Sequence, residues 1–328
     1  MLYDNHNRQI NYMRLAVTDR CNLRCYYCMP EEGIKYVARR ELMTYEEMIR
    51  IVSAFAKQGI SKVRITGGEP FLRKDLMYFL EAISQIPEIE KINITSNGTL
   101  LIDKIADLKR LGITSINLSL DSLDRERFHK ITRRDDFQKV MNCLQTLIDN
   151  DFEVKINMVV LAEQNVADII PMVNLAKAKP ISVRFIEEMP FNGTQGKGNV
   201  EFWSHVKILE KIRAVYPNIS KIEDKPFSTS VNYQIDGFQG SFGIIPAFSR
   251  TFCGTCNRIR LTPQGLIKTC LYDNGVFNIR DLLRSGATDE QVVETLKTAL
   301  NHRAKDGFEA EQRRFKIPVS ESMATIGG

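Results

Sequence analysis

Up to Pro190 the chain alternates between short runs of β-type residues and longer amphipathic stretches. The β-type runs are Tyr12–Val17, Lys62–Thr66, Lys91–Thr95, Ser115–Leu120, Val154–Val160 and Ile181–Ile186. Most of the stretches between them have helical length, and the pair Thr44 and Glu47 predicts a capping box at the start of a helix. Strands that alternate with helices predict βαβ units and a parallel sheet. Six units are too few for a closed eight-stranded barrel, so either an open partial barrel or a doubly wound sheet is expected.

The alternation ends near Pro190, where the segment MPFNGTQGKGN predicts a loop because it is rich in Gly and Asn. Two shorter β-type runs follow, at Val231–Ile235 and Ser241–Ile245. We therefore predict a larger domain at residues 1–230 and a smaller α+β domain at residues 231–328. Helices are predicted at Tyr45–Lys57, Leu101–Leu111, Phe137–Asn150, Asn165–Ala178, Phe202–Val215 and Glu290–His302.

The composition is ordinary for a globular protein, with 43% hydrophobic and 26% charged residues in 328 positions. The net charge of +5 is mild and does not distinguish an anionic substrate from nucleic acid or from a plain solvated surface. The sequence contains no run of about 18 apolar residues, so it predicts no membrane helix. The first residues do not have the pattern of a secretory signal. We therefore expect a cytoplasmic protein, where clustered thiols indicate metal binding or catalysis.

Six of the seven cysteines form two groups of three, and Cys143 lies alone in an apolar helical pattern. The first group is Cys21, Cys25 and Cys28, directly after the first predicted strand. Three thiolates leave one iron of a four-iron cluster open to another ligand. A zinc site that takes a fourth ligand from elsewhere stays an alternative, although the three-residue gap is unusual for zinc ribbons.

The second group is Cys253, Cys256 and Cys270, again with three thiolates, and it predicts a second open site. Arg258 and Arg260 lie between these cysteines in the segment CNRIR. On a strand, residues two apart point to one face, where two guanidiniums would suit a phosphate or the edge of a base. Without the cysteines, the same pattern would indicate a solvated strand face.

Short polar segments follow several of the predicted strands. Glu69 lies in RITGGEP, and its carboxylate is suited to accept a hydrogen bond from an ammonium group. TSNG at Thr95–Gly98, SLD at Ser119–Asp121, and Glu187 with Met189 occupy equivalent places after later strands. Because parallel strands end at one edge of a sheet, these segments predict a site at that edge.

The segment CNLRCYYC resembles the CxxxCxxC signature of the radical S-adenosylmethionine superfamily. Together with the second cysteine group and CNRIR, it is similar to the GTP 3′,8-cyclase family of molybdenum cofactor biosynthesis. The resemblance implies a partial TIM-type (β/α)6 barrel with a smaller C-terminal α+β domain that carries a second iron–sulfur cluster. It implies two [4Fe-4S] clusters and S-adenosylmethionine as cofactors. In this family a 5′-deoxyadenosyl radical abstracts the 3′ hydrogen of GTP, and carbon 8 of the base then bonds to the 3′ carbon.

The resemblance also implies roles for individual residues. As cluster ligands it implies Cys21, Cys25, Cys28, Cys253, Cys256 and Cys270. As contacts to S-adenosylmethionine it implies Tyr27, Gly68, Ser119 and Met189. As contacts to GTP it implies Arg14, Arg64, Thr95, Lys155, Arg258 and Arg260. Direct assistance to the reaction is implied for Arg258, Arg260 and the C-terminal Gly327 and Gly328, although Ala324 and Thr325 before them depart from the family's usual tail.

The implied partners are GTP, a low-potential electron donor and a downstream cyclic pyranopterin monophosphate synthase, with no nucleic acid and no membrane; a homodimer is left open. Two other hypotheses remain. A radical enzyme that modifies peptides would use an auxiliary cluster in the same way, but CNRIR favours a nucleotide. A zinc module that binds nucleic acid would need aromatic residues among basic patches, which the sequence does not offer.

Overall fold

A computed structural model describes residues 1–30, 33–34, 36–189 and 202–314. The strands are β1 (Leu2–Tyr3), β2 (Gln9–Ile10), β3 (Tyr12–Ala16), β4 (Lys62–Thr66), β5 (Lys91–Ser96), β6 (Ser115–Ser119), β7 (Glu153–Val160), β8 (Ser182–Glu187), β9 (Ile219–Lys221), β10 (Val231–Ile235), β11 (Ser241–Ile245), β12 (Arg258–Leu261), β13 (Leu266–Lys268) and β14 (Phe277–Asn278). The helices are α1 (Tyr45–Ala56), α2 (Leu76–Ser84), α3 (Ile105–Arg110), α4 (Arg125–Thr132), α5 (Phe137–Asp149), α6 (Ile169–Leu175), α7 (His205–Val215), α8 (Ile279–Arg284), α9 (Asp289–Asn301) and α10 (Gly307–Arg314).

Twelve of the strands form one sheet in the order β14-β13-β12-β3-β4-β5-β6-β7-β8-β11-β10-β9. The six strands predicted from the sequence, β3 to β8, are confirmed, and each is parallel to its neighbour. The C-terminal part adds one parallel strand to each side, β12 beside β3 and β11 beside β8. Residues on both sides of position 230 therefore share one sheet, and the predicted division of the chain at that position stays a prediction.

Alternation within the strands gives the central sheet two different faces. In β3, Met13 and Leu15 are fully buried in the hydrophobic core, and Val63 and Ile65 occupy the equivalent places in β4. Successive strand residues point to opposite sides, so the residues between them, such as Arg14, lie on the other face. The apolar face packs against the helices, and the polar face is left for the site.

The capping box predicted for the first helix is confirmed. The Thr44 hydroxyl accepts a hydrogen bond from the backbone N–H of Glu47 at 3.2 Å, and the Glu47 carboxylate accepts one from the Thr44 N–H at 2.7 Å. Two predicted helices, Leu101–Leu111 and Asn165–Ala178, are shorter than predicted because each begins with a 3₁₀ turn. Along the described parts of the chain, no helix combines the length and the apolar character needed to span a bilayer.

Candidate active site

A cavity of about 700 Å³ lies on the polar face of the sheet. Each of the eight parallel strands contributes side chains to its wall. All six clustered cysteines also line it, whereas Cys143 is fully buried in the core. The two groups that the sequence singled out, far apart along the chain, therefore open into one space.

Basic side chains dominate the strand residues that face the cavity. The cations on these strands are Arg14, Lys62, Arg64, Lys91, Lys155, Arg184, Arg258 and Arg260. They lie side by side because the register pairs them directly: Arg260 is opposite Arg14, and Arg14 is opposite Arg64. Among the described residues of the eight strands, two acidic residues line the cavity: Glu153 at the start of β7 and Glu187 at the end of β8. The cavity wall therefore carries a net positive charge.

Several polar atoms on this wall are buried without a hydrogen-bond partner in the part of the chain that the structure describes. Three are asparagine oxygens on neighbouring strands, the Oδ1 atoms of Asn93, Asn117 and Asn157. The Nε atoms of Arg14 and Arg184 are in the same condition. A buried polar group without a partner costs free energy, so this wall is built to meet a polar ligand.

Burial also shifts the pKa values of the charged groups on the wall. It lowers the pKa of Arg260 to about 9 and that of Arg184 to about 10, because both guanidiniums are removed from water and lie close to other cations, Arg14 and Arg64 respectively. Burial raises the pKa of Tyr12, but Arg64, Arg14 and Lys62 outweigh this effect and bring it down to about 7. An anion in the cavity would relieve both effects.

The first cysteine group lies in the loop after β3, at the carboxyl edge of the parallel strands. Burial raises the pKa of Cys21 to about 12 and that of Cys25 well above its usual value. Near Cys21, the Asn97 amide donates to its sulfur at 3.7 Å. Without a metal these thiols are costly to ionise, whereas cationic iron would stabilise the thiolates.

The glycines of RITGGEP bring this turn against the first cysteine loop. A Cβ at Gly68 would lie 2.2 Å from the carbonyl oxygen of Arg20, and one at Gly67 would lie 2.5 Å from that of Thr18. Gly68 lines the cavity, and close packing against this loop requires a glycine there.

Glu69 differs from the expectation that it would accept from a ligand's ammonium. It is fully buried, and its carboxylate accepts hydrogen bonds from the Ser96 hydroxyl at 2.9 Å and the Asn97 N–H at 2.7 Å. Burial raises its pKa to about 7. Its role in the structure is to join the turn after β4 to the end of β5.

The other residues predicted to contact S-adenosylmethionine also line the cavity. The Tyr27 hydroxyl donates to Asp121 at 2.7 Å, and Asp121 also accepts from the backbone N–H of Val159 at 2.9 Å. Burial raises the pKa of Asp121 to about 6. Ser119 lies at the end of β6, and the Met189 sulfur accepts from the Tyr272 hydroxyl at 3.2 Å.

The second cysteine group lies at the opposite edge of the strands. Cys253 and Cys256 precede β12, which is parallel to β3, so they stand at the amino edge. Cys270 follows β13, which runs back antiparallel to β12 with Lys268 opposite Arg260. The β12–β13 hairpin therefore returns the chain to the edge from which it left, and this brings three cysteines that are up to seventeen positions apart to one place.

Cys256 is the cysteine with the strongest cationic surroundings. Arg303 donates to its sulfur at 3.1 Å, and Arg258 lies 3.9 Å from the same atom. Burial raises its pKa, but these two guanidiniums outweigh burial and lower it to about 7. Burial raises the pKa of Cys270 to about 12. A thiol with a pKa near neutrality is readily available as the thiolate that binds metal.

The residues predicted to contact GTP are all brought together in the cavity wall: Arg14, Arg64, Thr95, Lys155, Arg258 and Arg260. Lys155 also pairs with Glu153 on its own strand. Arg258 donates to the carbonyl oxygen of Phe227 at 2.8 Å. The predicted roles of Gly327 and Gly328 fall on residues outside those that the structure describes.

Sequence reasoning missed Tyr12, Lys62 and Arg184, which face the same cavity. The signal was present in the strands themselves. YMRLA, KVRIT and SVRFI each alternate polar with apolar residues. A fully buried parallel strand usually reads as a continuous apolar run, so this alternation indicates that one face meets a polar ligand.

The donor set fits iron–sulfur chemistry, since three thiols at each edge open into the cavity. Among the described residues, no three His, Cys, Asp or Glu side chains form a group that could hold a single metal ion. In a cubane cluster, each thiolate binds a different iron.

Two models of known protein families match successive parts of the chain. The family model "Radical SAM superfamily" matches residues 15–176, and "Molybdenum Cofactor Synthesis C" matches residues 181–308. Molybdenum cofactor biosynthesis protein moc-5 of Caenorhabditis elegans is 42% identical over 99% of this chain and 54% of that protein. The chain thus spans about half the length of this relative. GTP 3′,8-cyclase of Clostridium perfringens strain SM101 is 39% identical over 96% of this chain and 99% of that protein.

Solved structures with the same fold are more distant in sequence. Native anSMEcpe with bound AdoMet superposes with a TM-score of 0.62 at 18% identity, over 93% of this chain and 84% of that one. This likeness shows the radical S-adenosylmethionine α/β fold and no more. The full-length bacterial relative and the two family models show more: the chain belongs to the GTP 3′,8-cyclase family of the radical S-adenosylmethionine superfamily.

Proposed function

We propose that this protein binds S-adenosylmethionine and GTP in one cavity and cyclises GTP to 3′,8-cyclo-7,8-dihydro-GTP, a first step towards molybdenum cofactor. The observation that carries the proposal is the cationic strand face between two three-cysteine groups. The arginines of β3, β4 and β12 lie between the cysteines at the carboxyl edge of the strands and those at the amino edge. An anionic substrate held there has one cysteine group on each side.

GTP suits this wall better than a peptide does. Its triphosphate brings negative charge to a wall that is rich in buried guanidiniums, and the planar guanidinium of arginine can bind two phosphate oxygens at once. Its sugar and base carry hydroxyl and amino donors, which the unpaired oxygens of Asn93, Asn117 and Asn157 can accept. A neutral peptide backbone would bring no negative charge to these cations.

Cys21, Cys25 and Cys28 would hold the first [4Fe-4S] cluster, with Tyr27, Gly68, Ser119 and Met189 around S-adenosylmethionine. When bound, the first cluster and S-adenosylmethionine together would supply a 5′-deoxyadenosyl radical. The chain's own contribution is to position the sugar of GTP next to that radical, because the cations on β3, β4 and β8 fix the phosphates.

Cys253, Cys256 and Cys270 would hold a second [4Fe-4S] cluster beside the guanine base. Arg258 and Arg260 lie on β12, which begins two residues after Cys256. They are therefore suited to bind the guanine base, or the phosphates, next to the second cluster. We further propose that the parallel sheet is curved as a partial barrel, since all eight strands reach one cavity. The reaction needs a low-potential electron donor, and its product would pass to a cyclic pyranopterin monophosphate synthase.

Replacement of all three cysteines of the second group by alanine is expected to separate radical formation from cyclisation. Iron in the anaerobically reconstituted protein should fall from about eight to about four per chain. With S-adenosylmethionine and dithionite, 5′-deoxyadenosine should still form, whereas no cyclised nucleotide should appear with GTP. The matched control is Cys143→Ala, which changes a cysteine in the core and should leave the iron content unchanged. Zinc in place of iron, or eight irons in the triple variant, would contradict the proposal.

Substitution of Arg184, which sequence reasoning missed, is expected to weaken GTP binding. Arg184→Ala removes a cation whose Nε is buried without a partner, so affinity for GTP should fall about 10- to 100-fold. Equilibrium binding to the anaerobic holoenzyme measures this. Arg125→Ala is the control, because Arg125 is exposed and pairs with Asp135 on the surface. Equal GTP affinity in both variants would remove Arg184 from the substrate site.

GTP affinity is expected to fall several-fold as the pH rises from about 7 to about 9. Burial lowers the pKa of Lys155 to about 8 although Glu153 pairs with it, so its positive charge is lost over this range. Tyr12, with a pKa of about 7, gains a negative charge over the same range. Both changes weaken the attraction for phosphate.

The Lys155→Arg variant separates the two contributions to this pH profile. It keeps its charge over the whole range, so its affinity for GTP should decline less with pH than that of the unaltered chain. An affinity that is constant or rises with pH in the unaltered chain would contradict the assignment of these groups to the phosphate site.

A further inference from the structure

Arg303 lies just after α9, outside the cavity wall, and only 2% of its surface is exposed. Its guanidinium donates to the Cys256 sulfur at 3.1 Å and to the Cys256 carbonyl oxygen at 3.1 Å. It also donates to the carbonyl oxygen of Arg258 at 3.0 Å. One side chain therefore holds both the sulfur of Cys256 and the backbone on either side of Asn257.

Asp4 fixes the orientation of this guanidinium. Its carboxylate accepts from Arg303 at 3.1 Å and from Arg8 at 2.7 Å. Arg8 in turn donates to the carbonyl oxygen of Cys253 at 3.0 Å. The buried groups Arg8, Asp4 and Arg303 thus connect the N-terminal hairpin to two cysteines of the second group, and they do so from the side away from the cavity.

The first cysteine group has a different environment. There the neutral Asn97 amide donates to the Cys21 sulfur at 3.7 Å, and the nearby Glu69 carboxylate contributes to the raised pKa of Cys21. At the second group, Arg258 also approaches Cys256, but at 3.9 Å and from the cavity wall, where it is needed for substrate. Arg303 is the cation that remains on the sulfur when a ligand engages Arg258. Hydrogen bonds to cluster sulfurs raise the reduction potential, and residues behind a ligand fix its orientation.

We propose that Arg303 is a positioning residue for the second cluster: it orients Cys256 towards iron and, through its hydrogen bond to the sulfur, raises the reduction potential of that cluster. The proposal rests on the proposed function, because it takes Cys253, Cys256 and Cys270 to be cluster ligands. It goes beyond that function in assigning a redox role to a residue that contacts neither substrate nor S-adenosylmethionine.

The test uses full chains in which Cys21, Cys25 and Cys28 are replaced by alanine, so that only the second cluster forms. Arg303→Gln, Arg303→Lys and Arg313→Gln are introduced into this parent and reconstituted anaerobically with iron and sulfide. Redox titration followed by electron paramagnetic resonance gives the potential, and transfer of iron to a chelator gives its retention. Arg313 is the matched control, since it is exposed and donates to Glu309 and to the carbonyl oxygen of His302.

Arg303→Gln is expected to lower the reduction potential of the second cluster and to weaken iron retention about tenfold or more. Arg303→Lys keeps the charge near Asp4 but has three N–H donors for the four acceptors that Arg303 meets, so its potential should lie between those of the parent and Arg303→Gln. Arg313→Gln should match the parent in both measurements. A purely structural role for Arg303 would weaken iron retention and leave the potential of the intact cluster unchanged.

An unchanged potential in Arg303→Gln therefore overturns the proposal even if iron is lost faster. Should Arg303→Gln fail to fold, as judged by circular dichroism, Arg303→Lys decides: a lowered potential supports the proposal and an unchanged one overturns it. A parent that binds no iron has a different meaning. That result overturns the second cluster of the proposed function, and the inference with it.

Discussion

Much of the positive charge on one face of the parallel sheet is buried, and the rest of the fold must offset the free energy that this burial costs. Arginines and lysines on neighbouring strands lie side by side with little acidic compensation, and burial lowers the pKa of Arg184 and Arg260. Such a wall is stable only if the helices on the opposite face supply enough apolar packing to offset its cost. An anion that binds to the wall would stabilise the folded protein and offset the free energy lost by burying these cations.

The parallel strand topology determines where the two cysteine groups lie relative to the charged wall. The first cysteine group follows β3 and therefore lies at the carboxyl edge, while Cys253 and Cys256 precede the parallel strand β12 and lie at the amino edge. Antiparallel β13 returns Cys270 to the same end. The cationic face separates the two groups, so a nucleotide bound to it lies within reach of both. Neither cysteine group by itself indicates which substrate binds; the cationic face between the two groups does.

Much of this could be predicted from the sequence, because the βαβ rhythm and cysteine spacing are local signals. Strands β3 to β8 could be identified because β-type runs alternate with stretches of helical length. The six cysteines could be identified as candidate metal ligands because they form two groups of three. The places of β11 and β12 at opposite sides of the sheet were not, since they depend on pairing between residues more than fifty positions apart. Glu69 shows the same limit: its segment predicted a ligand contact, but only the fold reveals that Ser96 and Asn97 already occupy its carboxylate. Arg303 has no sequence motif at all.

We propose that S-adenosylmethionine and GTP meet in one cavity between the two cysteine groups. Incubation of the anaerobic holoenzyme with dithionite, S-adenosylmethionine and GTP deuterated at the 3′ carbon tests it most directly. Deuterium should then appear in the 5′-deoxyadenosine, and a cyclised nucleotide should form with it. 5′-Deoxyadenosine without deuterium, formed equally well in the absence of GTP, would contradict it.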